Sequence, residues 1–375
     1  MRVLLITPAS PWQSRSGVEQ RSALLFEALS RCAPTDVLIL RAGPRSTALP
    51  TSDNPGLLGL LEYRESPLGL KATRPDAAVD RWAEAHIRWR RYGAIVARYV
   101  TSLVKITIPA GLPVIVDADD AVRRFAPPLP GLPAHRIARI KALARHAQFA
   151  RALREVEHAF FCSDLDREAF PSIRSSVLPN VPFAPITPFQ VQSSEKRVLF
   201  VGSLWYGPNR EGVSWFVRRV WPKVRAAHPD ATLRLIGAAS EAVRQGWMRT
   251  PGVEAPGFVH DLEEEYRRAA YTIAPIWHGG GTSIKIVESY AHGRVAVVTT
   301  FAHGVIKSAF EAGDSVLVAD SEGAMTAHCL TLLRDRDLAR GLAQRGAAIV
   351  QDSFSRSRFQ RVVREAVEGL LGRQK

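Results

Sequence analysis

Residues 271–300, YTIAPIWHGGGTSIKIVESYAHGRVAVVTT, read as strand, glycine loop, helix, turn and strand within thirty residues. Tyr271 to Pro275 has the short apolar run of a buried strand, and Gly279, Gly280 and Gly281 let the backbone turn sharply. Thr282 is placed to cap a helix opening at Ser283 and closing near Ala291, with Gly293 as a left-handed stop. Val295 to Thr299 is then the next parallel strand. A glycine turn feeding a helix N-terminus presents backbone N–H groups and a positive dipole end to an anion.

Lys285 falls at the third position of this expected helix, where a capping box would place Glu or Gln and where a cation opposes the dipole. An anionic ligand would remove that conflict. Glu288 lies one turn further on the same side. A solvated Lys–Glu pair on an ordinary surface helix is the alternative, and spacing alone leaves both open.

GGGTSIKIVESYAHG resembles the donor-binding signature of retaining glycosyltransferases of family 4, in a GGGT-type branch. The resemblance implies an α/β architecture of the GT-B kind, with two tandem doubly wound Rossmann-like domains and a cleft between them. It also implies that Gly280, Gly281 and Thr282 hold the diphosphate of a nucleotide-sugar, that Lys285 contacts phosphate, and that Glu288 accepts from ribose hydroxyls and belongs to the reaction centre. Many members carry two Glu residues eight positions apart. Here the first position is Gly280, and the Arg common after the Thr is Ser283.

The N-terminal half opens with a buried strand, Arg2 to Thr7, a polar loop, a helix from Val18 to Arg31, and a second strand, Asp36 to Leu40. This is a βαβ unit with its ligand side at the strand carboxyl ends. By the resemblance, Gly17 with Arg21 takes the place of the first-loop glycine that approaches sugar or acceptor. Residues 41–80, rich in Pro, Gly and Ser, read as loop. Arg81 to Ser102 and Arg136 to His158 read as two basic amphipathic helices. The strand Val114 to Val116 ends in Asp117, Asp119 and Asp120, whose mutual repulsion requires cations, donors or a ligand. Asp119 and Asp120 are the catalytic candidates of this half, occupying the positions of the family's His–Asp pair; helix capping by solvated carboxylates is the alternative.

A further opening, Arg197 to Phe216, repeats the strand-and-turn pattern, with Gly202 and Ser203 at the turn; the resemblance implies that the residues after it face the donor phosphates, with Arg210 supplying the charge. Gly257 and Val259 lie in the loop that, by the resemblance, runs along the nucleotide base. The expected division is residues 1–182 as an acceptor domain, 183–196 as a proline-stiffened linker, 197–355 as the donor domain, and 356–375 as a helix crossing back to the first.

Composition fits this reading. With 50 Lys and Arg against 36 Asp and Glu, the chain carries a formal charge of +14. Between Arg81 and Arg154 there are 14 basic and 4 acidic residues, interleaved with Trp82, Trp89 and Tyr92. Such a face suits an anionic bilayer or a pyrophosphate-bearing acceptor. No stretch offers 18 apolar residues, and the three cysteines have neither metal nor redox spacing. A reducing cytoplasm is expected, with peripheral attachment to the inner face of the membrane.

The expected activity is transfer of a sugar, with retention, from a nucleotide-diphosphate-sugar to a glycan or lipid-linked intermediate. The donor is a co-substrate; no metal and no other cofactor is expected. A soluble small-molecule acceptor, or a nucleotide-sugar epimerase of the same fold, is the alternative. A pyridoxal-phosphate phosphorylase lacks a convincing cofactor lysine. Nucleic-acid binding is favoured by charge alone and is not expected, and neither first turn has the G-x-G-x-x-G spacing of a dehydrogenase.

Overall fold

The computed structural model describes residues 1–13, 17–43, 47–48, 54, 56–63, 74–119, 121–126, 135–183, 193–280 and 283–372. The chain divides into two compact units. The first holds Met1–Arg123, His135–Val181 and Arg356–Lys375; the second holds Arg124–Ala134 and Pro182–Ser355.

In chain order, β1 (Arg2–Thr7), α1 (Gly17–Cys32) and β2 (Thr35–Ala42) make the opening βαβ unit. There follow β3 (Thr47–Ala48), β4 (Leu57–Tyr63), α2 (Ala77–His86), β5 (Tyr92–Arg98) and α3 (Val100–Leu103). Next come β6 (Val114–Asp117), β7 (Arg124–Phe125), α4 (Arg136–Leu153), β8 (His158–Phe161), α5 (Asp164–Glu168) and β9 (Ser175–Val177).

The first unit's sheet runs β3-β4-β2-β1-β5-β6-β8-β9, parallel except for β3. Because successive side chains alternate across a strand, β1 feeds two cores. Leu4 and Ile6 pack with Trp82, Phe149 and Leu153 on one face. Val3 and Leu5 pack on the other with Leu24, Leu25 and Leu29 of α1 and with Phe359, Val363, Val367 and Leu370 from the C-terminal end of the chain.

Three expectations fail in this unit. Arg81 to Ser102 is not one helix: it contains the end of α2, a 3₁₀ turn at Trp89–Arg91, all of β5 and most of α3. All seven residues of β5 are buried, Arg98 included. Residues 41–80 are not simply loop either, since β4 pairs with β2 over six register positions. The structure ends the second basic helix at Leu153, leaving His158 to open β8.

The second unit contains β10 (Arg197–Val201), α6 (Gly207–Arg219), α7 (Trp221–Ala227), β11 (Thr232–Ile236), α8 (Glu241–Met248) and β12 (Val253–Gly257). It continues with α9 (Leu262–Arg268), β13 (Tyr271–Ala274), β14 (His278–Gly279), α10 (Ile284–Ala291), β15 (Ala296–Val298) and α11 (Thr300–Gly304). The last elements are β16 (Leu317–Val318), α12 (Glu322–Arg334) and α13 (Arg336–Ser353), after which α14 (Arg356–Leu371) packs on α1 in the first unit's core. The six-stranded sheet, β12-β11-β10-β13-β15-β16, is wholly parallel. Its order reverses between β10 and β13, and ligands of such sheets bind outside the strand carboxyl ends at that point.

Glycine permits the backbone contacts at this edge. A Cβ on Gly212 of α6 would lie 1.7 Å from the Pro275 carbonyl oxygen. Gly246 of α8 has no neighbour within 4 Å of such a Cβ. Gly212→Ala is therefore expected to destabilise the second unit by about 1–3 kcal/mol or more through overpacking. Gly246→Ala should stabilise it by about 0.4–1 kcal/mol through the unfolded chain. Denaturant titrations of both variants check the pair; equal stabilities would contradict the contact.

Candidate functional site

The described candidates in the second unit gather round the carboxyl ends of β10 and β13. Gly202 follows β10, and its N–H donates to the Ile236 carbonyl at 3.0 Å. Gly237, at φ 139°, leaves room for the Gly202 carbonyl, which a Cβ would meet at 1.9 Å. The Asn209 amide donates to the Ser203 carbonyl at 2.9 Å and holds the turn from beneath. A Cβ on Gly202 would also lie 3.4 Å from Lys285 Cε, so the turn after β10 and the start of α10 share one basin.

Lys285 occupies the second position of α10 rather than the third, because the cap residue is Ser283 and not Thr282. Ser283 makes no side-chain cap hydrogen bond, which leaves the first helical amides without that partner. The Lys285 side chain is half-buried, and burial lowers its pKa to about 8. Among the described residues, no carboxylate or carbonyl pairs with its ammonium. Gly280, exposed and directly after β14, precedes Gly281 and Thr282, which lie outside the described residues.

Glu288 points into the protein instead of forming a solvated pair with Lys285. Its Oε1 accepts the Phe183 N–H, and its Oε2 lies 3.7 Å from His292 Nε2. His292 stacks on Tyr266 at 4.2 Å between ring centroids, and burial, helped by the neighbouring Arg294 charge, lowers its pKa to about 4. The imidazole is therefore neutral at pH 7.

The glycine loop is also braced from outside its own sequence. In β14, His278 and Gly279 pair antiparallel with Phe125 and Arg124 of β7, and Phe125 stacks on His278. Gly257 ends β12 at φ 92°, while Val259 packs onto the small cluster of Leu199, Ile236, Tyr266 and Ala269. Arg210 is directed elsewhere: it is exposed, reaches the Trp205 carbonyl at 3.5 Å, and lines a depression of about 520 Å³ between α6 and α8. The sequence places Asn209 beside Arg210 near this turn but does not report that its amide ties the turn to α6. Sequence reasoning missed the exposed aromatics Trp205 and Phe258, whose signal was a large ring in a polar loop after a strand.

In the first unit the acidic run divides. Asp117, fully buried, accepts from Arg21 Nε at 2.8 Å and Nη2 at 2.7 Å, and Arg98 Nε lies 3.5 Å away. Arg21 also donates to the Asn180 side chain and the Leu178 carbonyl, so it serves as a buried structural tie. Gly17 is the exposed first residue of α1, and Arg98 fixes that helix start by donating to the Val18 carbonyl at 2.5 Å. Asp119 is partly accessible; it accepts from the Cys162 thiol at 2.8 Å and lies 3.6 Å from Arg98. Burial alone would raise its pKa, but Arg21 and Arg98 outweigh burial and hold it below the usual carboxylate range. Asp120 lies outside the described residues. Tyr99, at φ 75°, follows β5 in a strained conformation beside these groups and stacks on Arg98.

The Lys285 environment makes a testable demand on stability. A depressed lysine pKa means that the charged form weakens the fold at all pH values below about 8, and that this cost fades as pH rises toward the unfolded value of 10.5. Lys285→Met should therefore melt higher than wild type at pH 7, with the difference shrinking above pH 8. Thermal melts across that range check it; a lower melting temperature for the variant at pH 7 would mean that the ammonium is already paired.

Comparison with known proteins completes the description. Residues 195–335 match the family described as Glycosyl transferases group 1. A curated relative, an uncharacterized 44.6 kDa protein in the cps region of Klebsiella pneumoniae, is 22% identical over 178 residues. The match spans 45% of this chain and 45% of that protein, less than half of each. Among solved structures, a sucrose-phosphate synthase from Thermosynechococcus elongatus aligns with a TM-score of 0.71 at 16% identity, covering 99% of both chains. An α,α-trehalose 6-phosphate synthase from Burkholderia multivorans aligns at 0.62 and 12% identity, covering 100% of this chain and 98% of that one. The protein has the GT-B fold, and its residues 195–335 are similar to the family described as Glycosyl transferases group 1.

Proposed function

We propose that this protein transfers a sugar, with retention, from a nucleotide-diphosphate-sugar to a lipid-linked or cell-surface polysaccharide intermediate. The observation that carries the proposal is Lys285: a half-buried ammonium without a described partner, at an uncapped helix start, against a glycine turn at the sheet's ligand edge. A diphosphate would supply the missing anion, and the same amides and ammonium would stabilise it as the leaving group. In this reading the second unit holds the donor and the first holds the acceptor.

Glu288 would receive the ribose hydroxyls, one turn along α10 from Lys285. Asp119 would orient a donor-sugar hydroxyl or the attacking acceptor hydroxyl; its depressed pKa keeps it ionised at pH 7, which suits a fixed acceptor of hydrogen bonds. The polysaccharide acceptor is supported by the relative named for a cps region. The basic first half of the sequence supports work at the inner face of a membrane, on the cytoplasmic side. A soluble acceptor or an epimerase reaction would use the same donor site and is separated from this reading by product analysis.

A thermal-shift screen over nucleotide-diphosphate-sugars identifies the donor. With that donor's nucleoside diphosphate, Lys285→Ala should lose about 1.5–3 kcal/mol of affinity, the worth of a hydrogen bond to a charged group. Calorimetry checks this, and wild-type affinity would remove Lys285 from the site. Asp119→Asn should lower turnover about 100-fold or more with little change in nucleotide affinity. A lowered melting point with near-normal turnover would instead make Asp119 a structural partner of Cys162 and Arg98.

A further inference from the structure

Helix α4 carries apolar residues on two opposite sides. Phe149 and Leu153 are buried in the first unit's core, and they are the only fully buried residues of the helix. Ile137, Ile140 and Leu143 are 72%, 68% and 72% exposed. At 100° per residue, the centre of this outer stripe lies about 160° round the helix from the buried pair. Isolated exposed aliphatics are ordinary, but three large ones within seven residues on one face form a patch that calls for a partner.

The charge around the patch selects the partner. From Arg136 to Arg154 the sequence has no Asp or Glu. Arg136, Lys141, Arg145 and Arg151 are exposed on the same helix, and Arg154, also exposed, is its C-cap. Helical spacing puts Arg136, Arg151 and Arg154 on the stripe's own face, and Lys141 flanks it. An aliphatic strip rimmed by long basic side chains matches the interface of an anionic bilayer: the aliphatics reach the acyl boundary while the cations stay at headgroup level. A second copy of the chain is a poor occupant, because a two-fold contact would set this acid-free face against itself. A single-stranded nucleic acid would want aromatic stacking surfaces, and the strip has none.

We infer that the outer face of α4, centred on Ile137, Ile140 and Leu143, is a docking surface for anionic membranes. The surface sits on a different helix from every nucleotide-site candidate, and the inference does not depend on sugar transfer. Its grip has two parts that respond differently to conditions. Salt screens the basic rim within about 10 Å at 0.1 M, but leaves the aliphatic contribution in place.

Sedimentation with phosphatidylcholine vesicles, with and without about a third of phosphatidylglycerol, tests the surface. Wild-type protein should partition about tenfold or more in favour of the anionic vesicles, and high salt should weaken that binding without abolishing it. The double variant Ile140→Glu, Leu143→Glu should lose about tenfold or more of the binding while keeping its melting temperature and nucleoside-diphosphate affinity. Equal vesicle binding by wild type and variant, or negligible binding by wild type, would overturn the inference. So would a variant that changes the particle mass in light scattering but not the vesicle binding, since the face would then join copies of the chain. Retained nucleotide affinity in all samples separates failure of this surface from failure of the donor site.

Discussion

Backbone lying directly on backbone at the carboxyl edge of the second sheet is the constraint from which the donor-side basin follows. The Gly202 carbonyl fits against Gly237, and the Pro275 carbonyl fits against Gly212, at distances that leave no space for a Cβ at either glycine. These contacts draw the turn after β10, the middle of α6 and the end of β13 together at the point where strand order reverses. Because β13 leads through the glycine loop into α10, the same packing brings the Lys285 stem against Gly202. A larger residue at Gly212 or Gly237 would push apart the groups that an anion must meet simultaneously.

The two units handle buried charge in opposite ways. In the first, Asp117 is fully buried and fully compensated: Arg21 forms a bidentate pair with it, Arg98 stands behind, and Arg21 in turn satisfies Asn180 and Leu178. Removing one partner of such a pair typically costs about 3–5 kcal/mol, so this charge is spent on structure. In the second, Lys285 is desolvated without a described protein partner, and its pKa falls accordingly. A desolvated charge held without a described partner at the carboxyl edge of the sheet is a cost that folding alone does not explain, and binding an anion does.

Much of this was legible from residue order, where local punctuation and tertiary placement agree. Glycines on both sides of α10 marked its ends, and the apolar runs Tyr271–Ala274 and Ala296–Val298 marked the strands that flank it. β5 was hidden because a strand buried on both faces has no alternation: YGAIVAR, ringed by arginines, looks the same as part of a basic helix. The three aspartates were visible as a cluster, but their division was not. Asp117 meets an arginine 96 residues away in sequence, and no spacing rule reports that pairing. α4 was legible as basic and helical, yet its second apolar face emerged only when Phe149 and Leu153 were seen to take the core and leave Ile137, Ile140 and Leu143 outside.

The central claim is that a phosphate anion completes the Lys285 site, and proton linkage tests it most directly. At pH 8.5, a lysine with a pKa of about 8 is mostly neutral, whereas one paired with a diphosphate is protonated. Calorimetric titration of the cognate nucleoside diphosphate in buffers of different ionisation enthalpy should therefore register uptake of about half a proton or more per molecule bound at pH 8.5. That uptake should vanish in Lys285→Met and shrink in wild type at pH 6.5. Binding at pH 8.5 with no proton uptake would contradict the account, because the anion would then sit where Lys285 does not feel it.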